Sequence, residues 1–166
     1  MKDLTIYLND HLAGSVGALE MLDGIIDAHE GKPLESFVKQ LRKDISADQR
    51  ELKRLMKQLG IAESGVRKVG AWVAEKLSRA KLRMGDSGKS NLALLQSLES
   101  LSLGITGKRS LWRTLGAFSK PDSRLDGINF ARLEKRAIDQ FKRAEGQAQK
   151  IAVKIFSAEL KAPRRN

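Results

Sequence analysis

Proline occurs three times in this chain, at positions 33, 121 and 163, so the long stretch from Pro33 to Pro121 lacks the residue that most reliably breaks a helix. Within that stretch and on either side of it, apolar residues recur every three or four positions among Leu, Ala, Lys, Arg and Glu. That spacing gathers the apolar side chains on one face of a helix. The chain reads as all-α.

The first helix is predicted from Leu4 to His29, with Leu4, Leu8, Leu12, Leu19, Leu22 and Ile26 on its inward side, ending before Gly31. Pro33 suits the first turn of a second helix that runs to Leu59, carries Phe37, Leu41, Ile45, Leu52 and Leu55, and stops at Gly60. The short link makes these two antiparallel. A shorter helix follows from Val66 to Leu82 with Val66, Val69, Val73, Leu77 and Ala80 inward, then a loop over Met84–Gly88. Another long helix spans Asn91–Phe118, with Leu94, Leu98, Leu101, Ile105, Trp112 and Leu115 on one face, and Ser119–Ser123 breaks it. Asn129 is the expected N-cap of the last helix, whose stripe is Phe130, Leu133, Ala137, Phe141, Ala144, Ala148, Ile151 and Ile155. The expectation is a single domain over residues 1–161 and a basic flexible tail over 162–166, with no internal repeat.

Hairpin, long crossover, hairpin is the connectivity of a ferritin-like four-helix bundle, here two antiparallel hairpins with an additional crossover helix. The segments YLNDHLAGS near the start, AWVAEKLSRAKL in the crossover and SLESLSLGITGKRSLW in the third long helix resemble a family of uncharacterised bacterial proteins of ferritin-like type. The resemblance covers nearly the whole chain, and it implies a fold and no particular activity.

Composition narrows the function classes. The chain has no cysteine, which excludes disulfides, thiolate metal sites and thiol nucleophiles and fits a reducing compartment. The opening MKDLTIYLNDHL carries acids where a secretory signal has an apolar run, and no stretch approaches a membrane-spanning length, so the expectation is a soluble cytoplasmic protein with no membrane partner. The formal charge of +11 is unevenly placed. Residues 1–30 hold one base and six acids, residues 66–84 six bases and one acid, and residues 128–166 ten bases and four acids. Positive charge favours anionic partners and also serves solubility.

A ferritin-like fold raises the question of a di-iron centre, which needs a Glu from each of two helices and a Glu-x-x-His pair from each of the other two. The two histidines are preceded at the required spacing by Leu8 and Ile26, so no Glu-x-x-His occurs. Glu134, Asp139 and Glu145 flank the last helix's stripe, and Glu20 and Glu99 point away from theirs. The expectation is no metal and no cofactor.

Polar residues nevertheless interrupt the stripes. His11 and Ser15 lie in the first, Asp48 in the second and Lys108 in the third long helix. With the first two helices antiparallel about Gly31, Ser15 lies opposite Asp48, His11 one turn away, and Lys108 at a similar depth. Isolated buried charges are costly, so these four are expected to converge in one layer. One reading is a hydrogen-bonded layer that holds helix register. The other is an altered active site for metal-dependent or hydrolytic chemistry, with Asp48 and His11 as acid and base and Lys108 electrostatic. Ser15 and Ser102 supply hydroxyls, but bundle serines usually serve packing, so no catalytic residue is assigned. His29, near a helix end, is expected on the surface.

Two further faces carry expectations. Ala13, Gly17, Gly24 and Ala28 run along one side of the first helix, where small residues permit close approach of the crossover or of a second subunit in a homodimer. Lys68, Lys76, Arg79 and Arg83 surround Trp72 on the crossover helix, a basic stripe able to grip phosphates of nucleic acid weakly and stack a base. The leading reading is a non-catalytic bundle protein that binds or supports, with nucleic-acid binding as the alternative.

Overall fold

The computed structural model describes residues 1–64, 87–118 and 123–161. Among the described residues are four long helices and no strand: α1 (Lys2–Ala28), α2 (Pro33–Gln58), α3 (Ser87–Phe118) and α4 (Phe130–Lys161), with a short 3-10 turn at Ser123–Leu125 before α4. The crossover helix expected over residues 66–82 and the basic tail lie outside the described residues.

The helix ends follow local chemistry. α2 closes in a Schellman motif: Gly60 takes a φ of 70°, Ile61 N–H donates to Met56 O at 2.9 Å and Gly60 N–H to Lys57 O at 3.1 Å. Only glycine enters that left-handed conformation without strain, and the motif folds Ile61 into the core beside Met56. Gly31, with φ of 72°, turns α1 into α2, and its N–H donates to the Glu35 carboxylate at 2.7 Å. Asn129 caps α4, its Oδ1 accepting from Arg132 N–H at 2.9 Å.

Side-chain pairs fix the helix directions. Asp23 on α1 pairs with Arg42 on α2, and Gln49 on α2 donates to Ser15 on α1, so these two are antiparallel. Asp44 pairs with Arg143 and Asp48 with Arg136, which sets α4 antiparallel to α2. Glu134 on α4 meets Arg113 on α3, and Gln140 meets Lys108, which sets those two antiparallel as well. α2 and α3 therefore run the same way, and Gln58 and Ser87 stand at opposite ends of the bundle. The packing is cyclic: α1 on α2, α2 on α4, α4 on α3, and α3 back on α1, with α3–α4 the most extensive contact.

Much of the core comes from the stripes read from the spacing, joined by Ile25, Val38, Met56, Leu95 and Leu111, while Leu4, Leu19, Ile26, Phe37, Phe141, Ile151 and Ile155 are only partly buried. Leu8, Leu12 and Leu22 of α1, Leu41 and Leu55 of α2, Leu98 and Leu115 of α3, and Ala137 and Ala144 of α4 are at most 1% exposed. Each buried leucine contributes roughly 1.5–3 kcal/mol relative to exposure, so these rows dominate the stability of the fold. Among the described residues no helix is long and apolar enough to cross a membrane.

The structure bears on two expectations about α1 and corrects the one for His29. Of the small residues on α1, Ala13 and Gly17 are buried within the chain itself, Gly24 is half-buried and Ala28 is exposed. His29 is buried, not on the surface, because its Nδ1 bonds Ile25 O at 2.9 Å and the ring folds back over the end of α1.

Candidate functional site

At mid-bundle the apolar layers give way to a polar cluster built around Asp48, which is 1% exposed. Its Oδ2 accepts from Lys108 Nζ at 2.6 Å and from Gln140 Nε2 at 2.8 Å. Its Oδ1 faces Arg136 Nη2 at 2.8 Å, an ion pair without an aligned N–H. Lys108 also donates to Gln140 Oε1, which closes a triangle across three helices. Asp48 and Lys108 belong to α2 and α3, which are not adjacent in the packing cycle, so their bond ties the bundle together diagonally.

The balance of charge here is uneven. One carboxylate serves two cations, and Gln140 supplies one donor and one acceptor. Burial pushes the Lys108 ammonium below its ordinary value, with the Asp48 carboxylate pulling the other way. The neighbouring acid, Asp44, is committed to Arg143 at 2.5 Å and to Gln40 at 2.9 Å.

His11 and Ser15 share a cavity with Asp48 and Lys108 but do not bond to them. The Ser15 hydroxyl donates to Leu12 O at 2.6 Å and accepts from Gln49 Nε2 at 2.9 Å. The His11 ring stands edge-on to Tyr7, with centroids 4.7 Å apart and planes at 80°. No hydrogen bond joins His11 to Asp48, so the two form no connected acid–base pair. Ser102 is buried and donates to Leu98 O at 2.9 Å, the back-bond of a packing serine.

Burial holds the His11 imidazole below its ordinary 6.5, against a smaller opposing pull from Asp10. A base with a lowered folded value binds fewer protons folded than unfolded, so its stabilisation is complete above about pH 6.5 and is lost as the pH falls through the folded value. The expected result is that His11 titrates below 6.5 by NMR. The melting-temperature gap between the wild type and His11→Gln should also narrow from about pH 7.5 to about pH 5. A gap that widens on acidification would place a carboxylate partner at the ring.

Spacing alone did not reveal Gln140 and Arg136. Gln140 had a legible signal, since it falls in the α4 stripe between Ala137 and Ala144. Arg136 lies off that stripe and reaches Asp48 only through the length of its side chain. Asn9 was also missed: it is buried, donates to Ala62 O at 3.2 Å and accepts from Ser64 N–H at 2.6 Å, fastening the chain after α2 to α1.

The carboxylates that a metal would need are dispersed. Glu134 is held by Arg113 and Arg109, Asp139 by Lys135, and Glu99 and Glu145 face solvent. Glu20, expected to point outward, is half-buried, and its Oε2 lies out of solvent without a hydrogen-bond partner among the described residues. Among the described residues no three His, Asp or Glu side chains come together as a metal-binding group. The basic stripe of Lys68, Trp72, Lys76, Arg79 and Arg83 lies outside the described residues.

Comparison with family models, curated proteins and solved structures finds no match to this chain.

Proposed function

We propose that the chain is a ferritin-like bundle protein that works without a di-iron centre, as a binding or structural protein and not as an enzyme. Support for the ferritin-like connectivity comes from the helix directions: two antiparallel hairpins whose inner helices, α2 and α3, run parallel and so need a long connection between them. The observation that carries the functional reading is the occupancy of Asp48. Its two oxygens are committed to Lys108, Gln140 and Arg136, and two fixed cations repel a metal ion at the depth where carboxylates and histidines would have to converge. A cytoplasmic setting belongs to the same reading and rests on the cysteine-free composition. The nucleic-acid alternative rests on the charge pattern alone.

Protein purified without chelator and challenged with ferrous ion is expected to retain no stoichiometric iron and to show no ferroxidase activity. Elemental analysis and an oxygen-consumption assay measure both. About two irons per chain with a diferric absorption band would overturn the reading.

A further inference from the structure

The polar cluster forms one wall of a cavity of about 240 Å³ between α1 and α3, with α2 as its floor. Most of the lining is apolar, from Ile45, Leu52, Leu101 and Ile105. Gly14 on α1 and Gly104 and Gly107 on α3 line it; Gly14 and Gly104 are exposed, Gly107 is half-buried, and a Cβ added at any of the three would meet nothing within 4 Å. The cavity opens to solvent past the exposed Asp10, Gly14 and Gly104, and its inner end reaches the buried Asp48 and Trp112.

Two donors in the wall are unspent. The Trp112 side chain is 1% exposed and its Nε1–H has no hydrogen-bond partner among the described residues. An ammonium has three N–H bonds, and among the described residues Lys108 commits two, to Asp48 and Gln140. Lys108 and Trp112 are four residues apart on α3, so they stand one turn above the other on the same face. Asp48 faces two cations, Lys108 and Arg136, of which Lys108 lines the cavity. An acceptor with two oxygens, such as a carboxylate, would satisfy both donors.

We infer that this cavity binds a small amphiphilic monocarboxylate, its head group at Lys108 and Trp112 and its hydrocarbon against Ile45, Leu52, Leu101 and Ile105. The inference deepens the binding reading proposed above and rests on it. Size sets the ligand class: an apolar cavity of about 150 Å³ takes benzene, so this one takes roughly ten heavy atoms, the size of octanoate. Asp10 at the cavity's edge is exposed, where solvent screens its repulsion of an incoming anion.

The test uses the full chain carrying Trp72→Phe, which leaves Trp112 as the single tryptophan. Titration with octanoate is expected to give a saturable change in Trp112 emission below about 1 mM, and octanol is expected to bind about tenfold more weakly. Gly107→Leu and Gly14→Leu each add a large side chain to opposite walls of the cavity and should weaken octanoate at least about tenfold while circular dichroism and melting stay intact, since leucine is the better helix former. Two cavity-filling variants guard against one failing to fold. Absence of saturation, equal binding of octanol, or binding untouched in a folded filled-cavity variant would overturn the inference. The iron assay tests the reading beneath it separately, because a metal-free protein that ignores octanoate loses the ligand and keeps the bundle.

Discussion

Asp48→Ala is expected to lower the free energy of unfolding by about 3–5 kcal/mol, the range for removing one partner of a buried ion pair. The carboxylate is 1% exposed and its removal strands Lys108, whose side chain is only 15% exposed, without its counter-ion. Arg136 suffers less, because its side chain is 30% exposed and can turn to water. Gln140 loses the acceptor for its Nε2 donor in a fully buried position, which adds an unsatisfied polar group. Replacing Asp48 with Leu and Lys108 with Met together should recover much of the loss, because the charge and its partner leave together. Urea melts of the two variants and the wild type measure this. A loss under about 1 kcal/mol for Asp48→Ala would mean that water reaches the carboxylate and that the cluster does not hold the bundle.

Trp112→Ala is expected to cost a similar amount, about 3–5 kcal/mol, by a different mechanism. Among the described residues Trp112 is the largest fully buried side chain, and it lines the cavity between α1 and α3. Truncation removes its packing and joins the vacated volume to a cavity that already exists, so collapse of the surroundings recovers little. Trp112→Phe should cost far less, because phenylalanine keeps most of the ring contact and removes an N–H that is buried without a partner. Thermal and denaturant melts of both variants decide the matter. If Trp112→Phe is as damaging as Trp112→Ala, the indole N–H has an acceptor in the folded chain and is not a free donor in the cavity wall.

Much of the fold is legible in individual residues. Pro33, Gly60 and Asn129 act locally: a ring without an N–H at a helix start, a left-handed φ at a helix end, a side-chain oxygen over a first turn. Local chemistry needs no partner element, so these boundaries could be read before the fold was known. The stripes were equally open, since a 3.6-residue period assigns each side chain to a face whatever that face packs against. Even the depth shared by Ser15, Asp48 and Lys108 followed from counting rise along antiparallel helices.

What tertiary structure decided is the partnering within that layer. Periodicity places Asp48 inward but says nothing of the azimuth at which a neighbouring helix meets it, so whether His11, Gln140 or Arg136 reaches the carboxylate depends on helix rotation and spacing. Arg136 is the clearest case: off its own helix's stripe, it arrives through side-chain length. His29 turns inward through a bond to Ile25 O that no stripe predicts, and Asn9 is held by backbone groups more than fifty residues away in the chain. The cavity is of the same kind. Glycine on a helix is visible in the sequence, but whether the facing helix fills the space it leaves is a property of the distance between two surfaces, and only the assembled bundle has one.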